Sequence, residues 1–451
     1  MNIIDATVHE FGQTVPLPRD DVFAWHTRPG AFSRLQAPWL PGRIIREAES
    51  LRDGTAVLAF PAGRRWLAQH LPEEFIEGGQ FADRLASRPF VVPVRWHHRH
   101  TFKSVEGGTS VLDSVTTVLP RRLIDPMFAY RHRQLADDLR AHQLAAGRSL
   151  TVAITGASGL IGSALRAFLT TGGHTVVRLV RCPAQAPDER EWDPHAPSPE
   201  ALAGVDAVVH LAGHGIAGRF TAEHWRQMRA SRVGPTGRLA HAAATAGVPV
   251  FVSASAIGYY GADRGDEQLG EQSAAGRDFL AQVVRDWEAD ALGAATADLR
   301  VVTVRTGLVQ SPRGGALALQ RRLFAAGLGG RLGSGDQWQS WIGIDDLLDI
   351  YLRAILDERL EGPVNAVAPR PVPQHQHAAA LGHALHRPAL IPTPTLGPRL
   401  LLGREGTREV ALASQRVVPT RLTELGHRFR FTDVEDLLRH LLGSTIPGQD
   451  T

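Results

Sequence analysis

One lysine, one cysteine, three methionines and four tyrosines in 451 residues leave this chain short of several chemistries at once. The single cysteine, Cys182, excludes an internal disulfide and any zinc site built on several thiolates. No apolar run approaches the roughly 18 residues that a membrane-spanning helix needs. The opening MNIIDATVHEF lacks the basic start and apolar stretch of a secretory leader. These absences predict a cytoplasmic chain with no membrane partner. Charge of one sign is also lacking: 49 Lys+Arg stand against 46 Asp+Glu, a net charge of +3, with no basic stripe. That balance argues against nucleic acid as a partner.

What is present centres on Leu150 to Arg181, LTVAITGASGLIGSALRAFLTTGGHTVVRLVR. A short β-branched run, a glycine turn, a helix-period segment over Leu160 to Leu169 and a second strand over Thr175 to Val180 form a dinucleotide-binding βαβ unit. Gly156 permits the sharp turn, and Gly159 lets backbone N–H groups approach a pyrophosphate. Gly162 lets the helix pack closely on the strand. Ser158, Leu160 and Ile161 complete the cofactor-binding turn. An NAD site usually carries an acid at the end of the second strand, about twenty residues past the last glycine. Here Arg181 stands nineteen past Gly162, with Arg178 nearby and no acid before Asp188. Guanidinium suits a 2′-phosphate, so the pattern predicts NADP.

Further strands are expected at Val205 to Leu211, Val248 to Ser253 and Leu299 to Val304, alternating with helices over Thr221 to Ala246 and Gly276 to Leu292. That alternation predicts an α/β fold, a Rossmann doubly wound parallel sheet with ligands at the strands' carboxyl ends. Leu211, Ala212 and Gly213 then approach the ribose or nicotinamide. Before it, strand-like runs at Val8 to Val15, Arg43 to Glu47, Thr55 to Phe60, Val91 to Phe102 and Ser110 to Val118 precede a long amphipathic segment, Leu123 to Leu144. Sheet followed by helix predicts an α+β domain over 1–146, with the Rossmann domain over 150–395 and a small C-terminal domain over 396–445. Trp96, His98, His100 and Phe102 alternate onto one strand face, and His at i, i+2 can ligate a metal. No third ligand is identifiable by spacing, so these histidines read as pocket-lining and no metal is expected.

The stretches TGASGLIG, HLAG (His210 to Gly213), SASAIGYYG (Ser253 to Gly261) and VRTGLV (Val304 to Val309) resemble an extended short-chain dehydrogenase/reductase. With Ser231, Arg232 and Thr236, DFLAQVVRDWEA, GSGDQWQSWIGIDDL and SQRVVPTRL, the resemblance narrows to its epimerase-like group, whose small C-terminal domain of unknown function (DUF1731) the last segment resembles. Gly343 departs from that pattern, where similar proteins often carry His. VFAWHTRPGAFSRLQAPW (Val22 to Trp39), FADR (Phe81 to Arg84), RPF (Arg88 to Phe90) and WHHRHTF (Trp96 to Phe102) resemble the START/Bet v1-like (SRPBCC) family. That resemblance implies a helix-grip fold with an apolar ligand between sheet and helix.

The parent superfamily implies catalysis by Ser, Tyr and a YxxxK lysine. Here Phe279 occupies the tyrosine slot and Val283 the lysine slot, and the only lysine, Lys103, lies upstream of the nucleotide motif. The proton donor is therefore expected at Tyr260 or Tyr259, with Ser255 binding the substrate oxygen. Three readings stay open: an epimerase or reductase acting on a small-molecule substrate, an NADP(H)-binding sensor, and a scaffold for an apolar-ligand carrier. Gln337, Trp338, Ser340 and Trp341 are expected to contact substrate, and Asn365 is a weaker candidate. Asp345 is expected as a helix N-cap and Asp346 in the first turn, both structural.

Overall fold

The computed structural model describes residues 6–88, 94–216, 218–392 and 396–445. They form two compact units, the first holding the chain up to Ala146 together with Ala167–Gly173 and the residues from Gly443, and the second Gly147–Arg166 and His174–Leu442.

In the first unit seven strands make one antiparallel sheet: β1 (Thr7–Val15), β2 (Arg43–Arg46), β3 (Thr55–Ala59), β4 (Arg65–His70), β5 (Gln80–Leu85), β6 (Trp96–Val105) and β7 (Gly108–Thr117). Their order is β1-β7-β6-β5-β4-β3-β2, a meander closed by the first strand beside the last. Two short helices, α1 (Arg19–Thr27) and α2 (Ala31–Leu35), follow β1, and the long α3 (Arg121–His142) ends the unit. Strict alternation along β7 puts Val111, Asp113 and Val115 on the covered face. Phe128 of α3 stacks on Phe11 of β1 with ring centroids 4.3 Å apart, so the helix grips that face. Trp25 and Phe128, both almost fully buried, each contribute on the order of 2–3 kcal/mol of apolar transfer. The sequence reading lacked β4 and β5. Their runs RWLAQH and QFADRL are short, and Asp83 turns an acid inward where alternation calls for an apolar residue. Of the expected run Val91 to Phe102, residues 91–93 lie outside the described residues, as do 89 and 90 of RPF.

The second unit carries β8 (Thr151–Thr155), α4 (Leu160–Thr171), β9 (Thr175–Val180), β10 (Glu189–Glu191), β11 (Ala207–His210), α5 (Ala222–Ala230), α6 (Pro235–Thr245), β12 (Val250–Ala256), β13 (Asp263–Leu269), α7 (Phe279–Leu292), β14 (Arg300–Thr306), β15 (Leu308–Gln310), α8 (Gly315–Ala325), β16 (Trp338–Gln339), β17 (Trp341–Gly343), α9 (Ile344–Leu356), β18 (Gly362–Ala366), β19 (Val372–Pro373), α10 (Gln374–Ala384), α11 (Leu396–Gly406), β20 (Ser414–Val417), α12 (Thr420–Glu424) and α13 (Val434–Leu442). Its main sheet is parallel throughout, in the order β10-β9-β8-β11-β12-β14-β18, the doubly wound Rossmann arrangement. The order reverses beside β8, so the crevice opens at the carboxyl ends of β8 and β11. Helices α10 and α13 pack with Trp341 and Leu317 into a separate apolar cluster. No helix among the described residues is long and apolar enough to cross a membrane.

Candidate functional site

The glycine turn between β8 and α4 is tight because side chains have no room there. Gly156 has φ +67°, and a Cβ on it would meet the Leu211 carbonyl carbon at 2.9 Å. A Cβ on Gly162 would meet the Gly156 carbonyl oxygen at 2.3 Å. The turn therefore lies against the end of β11, and Thr155 Oγ1 fastens it by accepting from the N–H groups of Leu211 and Ala212, both at 3.1 Å. Ser158 and Gly159 are exposed at the start of α4, with Leu160 and Ile161 half-buried. This brings together Gly156, Ser158, Gly159, Leu160, Ile161, Gly162, Leu211, Ala212 and Gly213. Beside them is a cation the sequence reading did not place. The Arg232 guanidinium lies 3.1 Å from where a Gly213 Cβ would be, and donates to the carbonyls of His214 and Met228. Burial lowers its pKa to about 10.

At the end of β9 the two expected arginines separate. Arg178 makes a two-pronged pair with Asp188, both contacts 2.7 Å, and reaches Glu189 at 2.9 Å. The Asp188 hydrogen bonds raise the Arg178 pKa, and the same contacts depress the Asp188 carboxyl. Arg178 thus braces the β9–β10 edge instead of facing a ligand. Arg181 is exposed and makes no hydrogen bond or ion pair among the described residues.

The β12 end holds a closed polar network. Ser255 Oγ donates to Glu288 Oε1 at 2.5 Å, and Arg305 grips the same carboxylate through Nε and Nη2 at 2.8 and 2.7 Å. Arg305 Nη1 also donates to Tyr260 Oη at 3.0 Å, and Tyr260 Oη donates to Asn365 Oδ1 at 2.7 Å. Tyr260 is fully buried, and burial pushes its hydroxyl up to about 12. Ser255, Tyr260 and Asn365 are therefore buried and have internal partners in this arrangement. Tyr259 differs: it is half-buried, its hydroxyl has no partner among the described residues, and Arg305 lies 3.5 Å from its ring centroid. Arg305 and Glu288 are the pair that sequence reading missed. VRTGLV carries the arginine and DFLAQVVRDWEA the glutamate, but nothing in either stretch marks the two as partners.

Phe279 packs on Trp225 with centroids 4.0 Å apart, and Val283 is 3 % exposed, so neither slot of the missing pair is polar. Of the residues expected to contact substrate, three are absorbed by packing. Trp341 is fully buried in the α10–α13 cluster with Nε1 on the Arg370 carbonyl. Ser340 Oγ donates to the Gln415 carbonyl at 2.7 Å and accepts from the Val417 N–H. Gln337 closes its own loop onto the Leu332 carbonyl. Trp338 stays half-buried, its Nε1 donating to Asp266 at 2.6 Å and its ring covered by Arg416. The expected cap at Asp345 shifts: α9 begins at Ile344 with Gly343 in the cap position. Asp346 Oδ1 accepts from the Arg430 N–H at 2.6 Å, and Asp349 pairs with the Arg430 side chain. Burial first, then neighbouring Asp349, raises the Asp346 pKa well above the usual carboxylate range.

Residues 152–366 match the NAD dependent epimerase/dehydratase family, and 393–441 match a domain of unknown function, DUF1731. An epimerase family protein of Mycobacterium bovis, Mb2239, is 42% identical over 300 residues, covering 66% of this chain and 98% of that protein. The chain belongs to the epimerase family. A crystal structure of a nucleoside-diphosphate sugar epimerase from Corynebacterium glutamicum is 43% identical, with a TM-score of 0.85, over 97% of this chain and 90% of that one. This family member therefore shares both of its units with a solved relative. The human epimerase family protein SDR39U1 (isoform 2), crystallised with NADPH, is 30% identical with a TM-score of 0.60, over 66% of this chain and 100% of that one.

Proposed function

We propose that this epimerase-family chain is an NADP(H)-dependent reductase or epimerase-like enzyme acting on a small molecule. The observation that carries the reading is the split at the end of β9: Asp188 is bound by Arg178, while Arg181 is left exposed. An acid that would favour a bare ribose hydroxyl is thereby occupied, and a cation suited to a 2′-phosphate is available. The NADPH in the human relative supports the same preference. The glycine cradle fits the cofactor: Gly156 and Gly162 have no room for a Cβ against β11 and the turn itself, and Gly159 stays exposed at the start of α4, where a helix N-terminus receives a phosphate. When bound, the nicotinamide supplies or accepts a hydride. This chain's own part is to bind the phosphates through the backbone of Gly156–Gly162 and to hold a proton at Tyr259 Oη. Arg305, held by Glu288 and Tyr260, with Ser255 bonded to the same glutamate, fixes the Tyr259 ring. Ser255 and Tyr260 thus become positioning residues, and Trp338 remains the proposed substrate contact.

A second reading has its own support. With Ser255 and Tyr260 locked in a buried network, the chain is also suited to sense NADP(H) without turnover. Small molecules carried through native purification, read by mass spectrometry, separate the two. A carbonyl compound that oxidises bound NADPH, or a hydroxyl compound that reduces bound NADP+ or is epimerised with the cofactor unchanged, supports the enzyme, and NADP(H) alone with no turnover of candidate substrates supports the sensor.

For the first unit we infer a START/Bet v1-like carrier of an apolar ligand. Between sheet and helices lies a cavity of about 540 Å³, lined by Leu35, Leu58, Trp66, Phe81, Trp96 and Met127 among others. Displacement of an environment-sensitive dye by lipid-like ligands tests it, and a full-length chain that binds neither dye nor ligand defeats it.

A further inference from the structure

The apolar cavity of the first unit has a polar floor, and the geometry points to a divalent transition-metal site there, built from Asp83, His98 and His100. Ligand atoms of these three residues all lie within 4.8 Å of one another. Sequence spacing exposed only the two histidines of β6. The third ligand comes from β5, where Asp83 is the direct cross-strand partner of His98. His70 of β4 is in turn the cross-strand partner of Asp83 and lines the same cavity.

The hydrogen bonds orient the rings as a metal would require. His98 Nε2 and His100 Nδ1 both meet Asp113 Oδ1, at 2.8 and 2.7 Å. An ionised carboxylate only accepts, so each ring places its proton on that nitrogen. His98 Nδ1 and His100 Nε2 are left with their lone pairs free. A carboxylate behind a histidine is the usual outer support of a metal ligand, fixing both tautomer and orientation. Asp113 serves two ligands at once, and its other oxygen takes His132 Nε2 at 2.7 Å.

Two further groups face the same floor. Asp83 is 9% exposed, faces the cavity, and has no hydrogen bond among the described residues. Its Oδ2 lies 3.7 Å from His98 Nδ1, too far for a hydrogen bond. Two ligands at ~2.1 Å on one tetrahedral metal sit roughly 3.4 Å apart, so a small closure brings them to bonding distance. His70, 7% exposed, has its Nδ1 buried without a partner. A buried carboxylate with no donor is costly, and a cation beside it removes that cost. Arg131 also lines the cavity and its charge acts on Asp83, but it makes no hydrogen bond to that carboxylate among the described residues and leaves its oxygens open to a ligand.

Two histidines and one carboxylate leave coordination positions open, and here they open into the apolar cavity. The ligand class that fits is an apolar molecule bearing one oxygen donor, such as a hydroxyl, carbonyl or carboxylate, to bind the metal. The site belongs to the first unit and does not depend on the nucleotide reading of the second.

The test uses untagged full-length protein stripped with a chelator and titrated with Co(II), then with Zn(II) in competition. One saturable equivalent with visible ligand-field bands, displaced by Zn(II), is expected. Asp83→Asn, close to isosteric, should weaken Co(II) binding by roughly tenfold to hundredfold while the metal-free melting temperature changes little, and His100→Gln should do the same. Wild-type protein with no saturable binding below about 1 mM overturns the site whatever the variants do. So does Asp83→Asn that folds and binds Co(II) like wild type.

Discussion

Arg305 of β14 and Glu288 of α7 face each other through two hydrogen bonds of 2.8 and 2.7 Å, with side chains only 3% and 6% exposed. A buried pair of this kind is stable only while both members are present and their remaining positions are filled. Ser255 fills one on the glutamate, and Tyr260 and the Glu271 carbonyl fill others on the arginine. The pair thus closes the polar network at the end of β12 around a cation that does not give up a proton.

Removing the glutamate tests how much of the second unit rests on this pair. Glu288→Ala leaves Arg305 buried and uncompensated, at a cost of about 3–5 kcal/mol. Urea unfolding of the variant checks it. A loss under ~1 kcal/mol, the value of an exposed pair, means the pair is solvated in solution.

The two adjacent tyrosines should respond differently to the same edit. Tyr260→Phe removes a buried hydroxyl from Asn365 and Arg305 and should cost about 1–3 kcal/mol of stability. Tyr259→Phe should leave stability within ~0.5 kcal/mol and lower turnover on an identified substrate by at least 10²-fold, roughly the contribution of a general acid. Full activity in Tyr259→Phe places the proton elsewhere.

This difference between neighbours also shows where reading from sequence stops. The glycine turn was legible because its requirement is local: a residue at φ +67° with no room for a Cβ is glycine in any context. The parallel sheet was legible from alternating periods, and α13 from its strong apolar face. Ser255 and Glu288 are 33 residues apart, and nothing in either neighbourhood announces the other. Ser340 and Trp341 looked free for substrate because β20 and the Arg370 carbonyl, which occupy them, arrive from later in the chain. Asp83 was invisible for the same reason, since its strand has an inward acid where the pattern asks for an apolar residue. Local geometry survives translation into sequence, whereas polar partnerships across elements do not.

Cofactor choice rests on one exposed side chain. Calorimetry should show NADPH binding tighter than NADH, and Arg181→Asp should erase about 1.5–3 kcal/mol of that preference, the range of a hydrogen bond to a charged group. Arg178→Ala should instead loosen the β9–β10 edge, with the preference lowered less. Equal wild-type affinities for the two nucleotides remove the argument.

Asp346 offers a test of whether the paired acids do chemistry. Its carboxyl is pushed strongly up by burial and by Asp349, so the neutral form prevails over a wider pH range than for an ordinary aspartate. Asp346→Asn keeps the acceptor for the Arg430 N–H, and should change stability by less than ~1 kcal/mol. Turnover should stay at the wild-type level. A large loss of turnover in a stably folded variant makes Asp346 a proton carrier after all.

Acid should unfold the second unit through its histidines. Burial lowers His210, His377 and His427 each to about 4. In the unfolded chain each takes up a proton below ~6.5. The folded chain resists until about 4, so the unfolded state binds more protons across that window. Their contribution is complete above pH ~6.5 and is lost as pH falls toward 4. Asp346 works the other way, because its folded form keeps a proton that the unfolded form releases. The three histidines alone set an upper bound of three protons taken up near pH 5, a slope of at most about 4 kcal/mol per pH unit, which Asp346 reduces. Urea unfolding of the protein from pH 7 to pH 4.5 reads that slope. His377→Asn should flatten it by about 1.4 kcal/mol per pH unit. A slope near zero in wild-type protein means these rings are already protonated in the fold, and the buried neutral histidines are not what acid attacks.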